Sequence, residues 1–303
     1  MYKRKITLRY KFGESMQNIK VTDVRVQPGD SAFLIDDGKT TIMYDSGFAF
    51  TGYIVADKIK SVLGDRKLDY IFLTHSHYDH ALGSAYALKY WPEVKVVAGE
   101  YAAKIFAKPT AKAVMRDLDN KFAKTCGVIE YEDLIDELKV DIPVCDGEII
   151  KAGDMEFVTL SLPGHTKCSV GYYCPKEKLF LSCETIGVFS GKDVVPSYLV
   201  GYKMTIDSIE RVEKLDIDNI LIPHYGLLNK DETRFYLAEA KKSAIETAVE
   251  ITDMLRAKRQ KEEIMEFFKN KFYHGYTKTI YPIDAMELNT GITIDLLARE
   301  FGL

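Results

Sequence analysis

Residues 74–80 read Thr74-His75-Ser76-His77-Tyr78-Asp79-His80, directly after the apolar segment 68–73. That segment has the length and composition of a buried strand, so it would deliver three histidines and a carboxylate to one edge of a sheet. Residues two apart on an extended chain project to the same side, which lets His75 and His77 bind one cation. Asp79 and His80 come after the chain is expected to bend, so they point in another direction and suit a second cation.

Two further histidines lie in loops marked by proline and glycine. His165 lies in Leu162-Pro163-Gly164-His165-Thr166, and His224 lies in Ile222-Pro223-His224-Tyr225-Gly226, directly after a predicted strand. Five of the six histidines therefore lie at strand ends or in such loops, which is typical of a metal site. The sixth, His274, lies in a tyrosine-rich tail and is predicted to be an ordinary histidine. Imidazole and carboxylate ligands favour zinc, manganese or iron over calcium and magnesium.

The periodicity around these motifs predicts a mixed α/β chain. Strands are expected over residues 5–10, 19–26, 31–35, 40–44, 68–73, 94–97, 156–160, 170–173, 178–182 and 219–222. Helices are expected over residues 54–63, over 100–123 with a break near Pro109, and over 206–215 with Thr205 as the N-cap.

After residue 228 the pattern becomes purely helical. Asn229 and Glu232 have capping-box spacing at the start of a helix, and further helices are predicted over 261–273 and 290–300. We therefore divide the chain into a catalytic domain, residues 1–228, and a helical extension, residues 229–303. The apolar stripe of the extension must be buried. It is expected either to pack on the main body or a second copy, as in a homodimer, or to form a lid whose tyrosines line the pocket: Tyr273, Tyr276 and Tyr281.

The composition argues against several classes of protein. There are 41 Lys and Arg residues against 45 Asp and Glu, a net charge of −4, which does not suit nucleic-acid binding. No apolar run approaches the roughly 18–20 residues of a membrane span, and no apolar segment follows the basic N-terminus as in a signal peptide. The five cysteines contain no CxxC pair. We expect reduced thiols in a cytoplasmic protein that binds a small molecule and neither nucleic acid nor membrane.

Taken together, the motifs resemble the metallo-β-lactamase superfamily. The resemblance covers about residues 19–226 and rests on the HxHxDH segment, the two histidine loops and a strand that ends in Glu184. It implies an αββα sandwich, in the α/β class, with two divalent metal ions at one edge of the two sheets. Zinc is favoured, with iron and manganese as alternatives. The matching positions imply a first metal on His75, His77 and His165, a second on Asp79, His80 and His224, and a bridging carboxylate from Glu184.

The chain departs from the family at Glu184, where aspartate is usual. The extra methylene allows the carboxylate either to bridge two metals or to bind one of them through both oxygens. Cys183 is a rival ligand, but strand alternation lets only one of the two neighbours face the metals, and Glu184 keeps the family register. Cys183 is then a buried thiol. Asp45 matches an acidic position behind the site and is expected either to orient a ligand histidine or to cap a turn.

The resemblance implies a metal-dependent hydrolase that uses a metal-bridged hydroxide on a small ester, thioester, lactone or phosphodiester. Asp79 would be the catalytic residue that takes up or donates a proton. Tyr78 and Tyr225 lie beside ligands, either as hydrogen-bond donors to an oxyanion or as aromatic packing. Hydroxyacylglutathione hydrolases share the HxHxDH motif, but the tail shows no basic pattern for glutathione.

Two other functions fit the same residues. The first is an iron-dependent oxidoreductase, either a sulfur dioxygenase or a diiron protein, although flavodiiron proteins place a glutamate where His77 stands and carry a fused flavodoxin domain. The second is a regulatory binding protein that retains the metal site. The complete set of ligands favours an enzyme over this second alternative.

Overall fold

The computed structural model describes residues 19–303, so the strand predicted over 5–10 lies outside the described residues. Within them, the first sheet has six strands in chain order. These are β1 Lys20–Asp23, β2 Phe33–Asp36, β3 Thr41–Tyr44, β4 Tyr70–Phe72, β5 Lys95–Gly99 and β6 Ile142–Val144. Strands β3 to β6 are parallel to one another. Strand β2 pairs antiparallel with β3, and β1 pairs antiparallel with β2.

The second sheet has the order β14-β13-β10-β9-β8-β7, and a small ribbon pairs β11 with β12. Its strands are β7 Ile149–Ala152, β8 Met155–Ser161, β9 Val170–Cys174, β10 Leu179–Leu181, β13 Asn219–Ile222 and β14 Gly226–Leu228. The ribbon consists of β11 Val188–Phe189 and β12 Val194–Val195. Most pairs in the second sheet are antiparallel, but β10 and β13 are parallel.

Helices cover the outer face of each sheet. One apolar cluster lies between the sheets and includes Phe72 from the first and Phe157 from the second. A second cluster packs the first sheet against α1 Gly52–Leu63, α2 Tyr78–Ala81, α3 Ser84–Tyr90, α4 Glu100–Phe106 and α5 Pro109–Thr125. A third packs the second sheet against α6 Tyr202–Val212, α7 Lys230–Arg256, α8 Lys261–Phe272 and α10 Ile283–Phe301. The predicted αββα sandwich with a C-terminal helical extension is confirmed.

The extension buries its apolar stripe against the main body of the same chain. Helix α7 begins with the predicted capping box, in which the Asn229 side chain accepts from backbone N–H groups and Glu232 accepts from the N–H of Asn229. Ala244 and Ile251 of α7 lie in one cluster with Ile220 of β13. The short helix α9 Thr277–Ile280 lies between α8 and α10 in the chain. None of the helices in residues 19–303 is long and apolar enough to cross a bilayer.

Some predicted boundaries are wrong. Helix α6 begins at Tyr202 with Gly201 as N-cap, and the Thr205 hydroxyl donates 2.9 Å back to the Gly201 carbonyl from inside the first turn. Helix α10 begins at Ile283, seven residues before the predicted start at 290, with Pro282 as N-cap. The break near Pro109 is confirmed. The short strands β6, β7 and β14 and the ribbon were not predicted, because three or four edge residues carry little alternation.

Candidate metal centre

The functional side chains come from strands whose carboxyl ends meet at one edge of the sandwich. In the first sheet, Asp45 follows β3 and His75 follows the parallel strand β4. In the second sheet, Glu184 follows β10 and His224 follows the parallel strand β13. Strand β8 runs in the same direction and leads to His165. Side chains that are far apart in the chain therefore meet at this edge.

All seven predicted metal ligands lie together there, in two groups. Within each group the nitrogen and oxygen atoms that could bind a cation lie within 4.8 Å of one another. These are the two sets that the family resemblance implied, with Glu184 added to the first. The first group is His75, His77, His165 and Glu184, and the second is Asp79, His80 and His224.

Backbone carbonyl groups fix the orientation of two imidazoles. Nδ1 of His165 lies 3.0 Å from the Ser197 carbonyl oxygen, and Nδ1 of His224 lies 3.2 Å from the carbonyl oxygen of Asp30. A carbonyl oxygen only accepts hydrogen bonds, so each Nδ1 carries the proton. In the neutral ring, Nε2 then presents a lone pair to the site, as metal-binding histidines require.

Asp45 fixes two more imidazoles. Its Oδ2 lies 2.7 Å from Nδ1 of His80, and its Oδ1 accepts from the Thr74 hydroxyl at 3.0 Å. The Thr74 oxygen in turn lies 3.0 Å from Nδ1 of His75 and is left to accept its proton. Asp45 thus has the orienting role rather than the turn-capping one. Thr74 was not predicted, because the sequence gives no sign that it links Asp45 to His75.

Imidazole nitrogens of neighbouring candidate ligands lie close to one another. Nε2 of His165 lies 3.0 Å from Nδ1 of His77, and Nε2 of His224 lies 3.2 Å from Nε2 of His80. Opposed lone pairs at such distances repel unless a cation or a proton lies beside them. Nε2 of His75 is buried and has no hydrogen-bond partner among the described residues, and the nearest Glu184 oxygen is 3.5 Å away. These donors fit divalent cations.

The carboxylate of Glu184 lies between the two groups. Its Oε2 is 2.9 Å from Nε2 of His165 in the first group and 3.5 Å from Nε2 of His80 in the second. Its Oε1 is 3.6 Å from Nε2 of His224. The side chain is only 4% exposed, yet contacts with His165 and its neighbours outweigh the effect of burial and hold the pKa of Glu184 well below its ordinary value. The carboxylate can therefore contact both groups as an anion.

Burial also sets the charge of the other groups. It lowers the pKa of His75 and of His77 well below the ordinary value, which keeps both rings neutral and able to bind a cation. Burial raises the pKa of Asp79. Cys183 lies in the apolar core rather than in either group, and burial raises the pKa of its thiol to about 12. This agrees with the interpretation of Cys183 as a buried thiol.

The helical extension reaches the site through two tyrosines. The Tyr281 hydroxyl donates to Oε1 of Glu184 at 2.9 Å, and the Tyr276 hydroxyl donates to the His224 carbonyl at 2.7 Å. Arg25, which the sequence did not suggest, donates from Nη1 to the same carbonyl. His224 has a left-handed backbone with φ of 63°, so these two donors hold a strained residue in place.

The remaining predicted residues have ordinary surroundings. The Tyr78 ring packs 5.5 Å from that of Phe48, and the Tyr225 ring packs 4.7 Å from that of Phe189. Aromatic packing is therefore present for both tyrosines. His274 is exposed, and its Nε2 donates to the Lys271 carbonyl at 3.0 Å, as expected of a surface histidine.

Comparison with known proteins agrees with this geometry. The family profile described as the metallo-beta-lactamase superfamily matches residues 28–224. A probable hydroxyacylglutathione hydrolase, glo2 of Schizosaccharomyces pombe, is 27% identical over 131 residues, which are 43% of this chain and 38% of that protein. The flavo-diiron protein FprA2 of Clostridium acetobutylicum is 24% identical over 223 residues, covering 66% of this chain and 50% of that protein. The chain thus spans about half or less of the length of these two relatives.

A solved structure extends the similarity beyond the residues that the family profile matches. The metallo-beta-lactamase family protein TTHA1429 from Thermus thermophilus superimposes with a TM-score of 0.59 at 18% identity. The superposition covers 89% of this chain and 88% of that chain. At this level of identity, the similarity concerns the fold.

Proposed function

The chain belongs to the metallo-β-lactamase superfamily, and on that premise we propose that it is a metal-dependent hydrolase of a small ester, thioester, lactone or phosphodiester. One observation carries the proposal: two largely buried groups of donors meet at a single carboxylate, that of Glu184. Such an arrangement suits two cations that act together on one substrate. A regulatory protein would have no need of a complete double site.

The proposed ligands follow the two groups. His75, His77 and His165 would hold one divalent cation, and Asp79, His80 and His224 the other, with Glu184 shared between them. Zinc is favoured because five of the seven donors are imidazoles, with iron and manganese as alternatives. The chemistry that such cations supply is the activation of water at neutral pH and the polarisation of the scissile carbonyl or phosphoryl group.

Asp79 is proposed as the catalytic residue. Its side chain is 19% exposed, whereas those of His80 and Glu184 are at most 4% exposed, so Asp79 is the more accessible to a substrate. Its Oδ2 lies 3.5 Å from Nε2 of His80 and 3.7 Å from Nε2 of His224. From this position the carboxylate can take a proton from the attacking water and return it to the leaving group.

Thioesters are the first substrates to test. The extension borders the site, since Tyr281 contacts Glu184, and this favours small substrates. The relative from Schizosaccharomyces pombe is described as a probable hydroxyacylglutathione hydrolase, which supports thioesters within the proposed range. We place the protein in the cytoplasm because all five of its cysteines are free thiols, and the charge of −4 does not favour nucleic acid.

An iron-dependent oxidoreductase is the second candidate. The similarity to the flavo-diiron protein FprA2, over 66% of this chain, favours it. Against it stands His77, a member of the first group, at the position where the flavodiiron branch is expected to carry a glutamate. Bound iron together with oxygen consumption would favour this candidate over hydrolysis.

The test is a hydrolysis assay on the full chain. Protein stripped with a chelator and then reloaded with zinc, manganese or iron is assayed against esters, thioesters, lactones and phosphodiesters. Metal-dependent turnover of at least one class is expected, and the stripped protein should be inactive. Absence of hydrolysis by every loaded form, with oxygen uptake by the iron form, would replace the hydrolase by the oxidoreductase.

A further inference from the structure

We propose that Tyr281 of the helical extension is a positioning residue, which holds one oxygen of Glu184 and thereby leaves the other to be shared by the two groups of ligands. This inference rests on the proposed metal site. It explains how a glutamate can serve where the family resemblance implied an aspartate. In this account the extension forms part of the metal centre.

The two oxygens of Glu184 have different surroundings. Oε1 accepts the Tyr281 hydrogen bond at 2.9 Å and lies 3.6 Å from Nε2 of His224. Oε2 faces the histidines of both groups, at 2.9 Å from His165 and 3.5 Å from both His75 and His80. The hydroxyl therefore restricts rotation of the carboxylate and keeps Oε2 directed between the groups.

The direction of this hydrogen bond follows from the chemistry of the pair. A carboxylate only accepts hydrogen bonds, so the Tyr281 hydroxyl donates its proton to Oε1 of Glu184.

The extension fixes the backbone that carries this tyrosine. The Tyr281 N–H donates to the Thr277 carbonyl at 3.0 Å, at the end of α9. The Tyr273 hydroxyl, from the end of α8, donates to the Tyr281 carbonyl at 3.1 Å. Ile280, beside it, is buried in the cluster that joins the extension to the second sheet. The Tyr281 phenol is therefore carried by a well-packed part of the extension.

The length of the glutamate side chain is essential to the contact. An aspartate is shorter by one carbon–carbon bond, about 1.5 Å. An aspartate that kept its oxygen among the histidine nitrogens would leave the Tyr281 hydroxyl beyond hydrogen-bond range. Glu184 and Tyr281 thus act as a pair, and the contribution of Tyr281 should depend on the glutamate.

A double-mutant cycle tests this dependence. Tyr281→Phe, Glu184→Asp and the double variant are compared with the wild type by zinc titration against a chromophoric chelator. Melting temperatures with and without zinc report the same binding through its effect on stability. In the wild-type background Tyr281→Phe should weaken zinc binding about tenfold, as expected for loss of a hydrogen bond to a charged group. In the Glu184→Asp background it should change binding by less than about twofold.

Tyr198→Phe is the matched control. Its hydroxyl is buried without a partner among the described residues, so its removal should leave zinc binding unchanged. Melting of the zinc-free proteins separates a folding defect from a binding defect. If Tyr281→Phe does not fold, Tyr273→Phe, which removes the donor to the Tyr281 carbonyl, replaces it in the cycle.

The outcomes separate this inference from the proposed function. No effect of Tyr281→Phe, or an equal effect in both backgrounds, overturns the Tyr281 inference and leaves the hydrolase intact. Zinc binding that follows the expected cycle in a protein that hydrolyses nothing supports the inference and overturns the hydrolase. A wild type that binds no zinc, manganese or iron contradicts both.

Discussion

The sheet edge and the helical extension contribute to the same site in different ways. The strand ends of the sandwich, together with the loops and the short helix α2 that follow them, supply the nitrogen and oxygen atoms of the two candidate metal groups. The extension supplies phenolic hydroxyls, which contact Glu184 and the backbone of His224 from outside. In the proposed function the edge carries the chemistry, and in the Tyr281 inference the extension adjusts its geometry. Changes at the edge should abolish function, whereas changes in the extension should weaken it.

The largest effect is expected for the histidines of the edge. His77→Ala or His224→Ala removes a donor from one group and should reduce metal-dependent turnover by about two orders of magnitude or more, with the fold retained. Turnover and circular dichroism check this. His274→Ala, on an exposed histidine of the extension, is the matched control and should keep the wild-type rate. Full activity of either edge variant would show that its assignment as a ligand is wrong.

A smaller effect, on metal affinity, is expected for Asp45, which lies behind the ligands. Asp45→Asn removes the charge that orients His80 and, through Thr74, His75. Loss of such a partner typically costs about 10–100-fold in metal affinity. Zinc titration of the variant measures the loss, with the exposed Asp154→Asn as control. Unchanged affinity would mean that Asp45 serves only the turn in which it lies.

A still smaller effect is expected from the extension. Tyr276→Phe removes one of two donors to the His224 carbonyl, and Arg25 remains. Loss of one ordinary hydrogen bond corresponds to about fivefold weaker binding of the second cation. Zinc titration measures the loss of affinity, and Tyr101→Phe, the same change on α4, is the matched control. A loss as large as that of His224→Ala would contradict the division between edge and extension.

No effect on turnover is expected at Asp119, a buried carboxylate of α5 without a histidine partner. Burial raises its pKa to about 6. The folded state therefore binds this proton more tightly than the unfolded state, and the free energy of unfolding falls as the pH rises from about 4 to about 6. Asp119→Asn keeps an acceptor for the Ala49 N–H and should stabilise the zinc-free protein at pH 7 by about 1–3 kcal/mol.

Denaturant unfolding of both zinc-free proteins at several pH values checks this. The gain of Asp119→Asn over the wild type should shrink as the pH falls toward 4, because the aspartate is then protonated in both states. A gain that does not change with pH would mean that Asp119 is not charged in the folded protein at neutral pH.

The same division governs what could be predicted from the sequence. The edge was predictable because apolar periodicity locates the strands and the histidines follow them directly, as His75 follows β4. The role of Asp45 stayed open, because an aspartate that caps a turn and one that orients an imidazole have the same sequence context. Cys183 and Glu184 were separated on the expectation that neighbours on a strand face opposite sides. The strand in fact ends at Leu181 and Glu184 begins a 3-10 helix, but only Glu184 lies among the donors.

Contacts from outside the edge were not predictable. Arg25 meets His224 across 199 residues, and no local pattern indicates such a contact. The tyrosines of the extension were predicted only as pocket lining, since their hydrogen bonds depend on where α9 places the chain. The early start of α10 did leave a signal, since Pro282 precedes the first turn and Asp284 lies in it.

The most direct test of the account is the metal content of the protein as isolated. The full chain is purified without chelators or a metal-affinity tag, and its metals are counted per chain by plasma mass spectrometry. The account predicts about two equivalents, chiefly zinc, because the two groups share the carboxylate of Glu184. A chain that holds no more than one equivalent, even after reloading with zinc, manganese or iron, would contradict it.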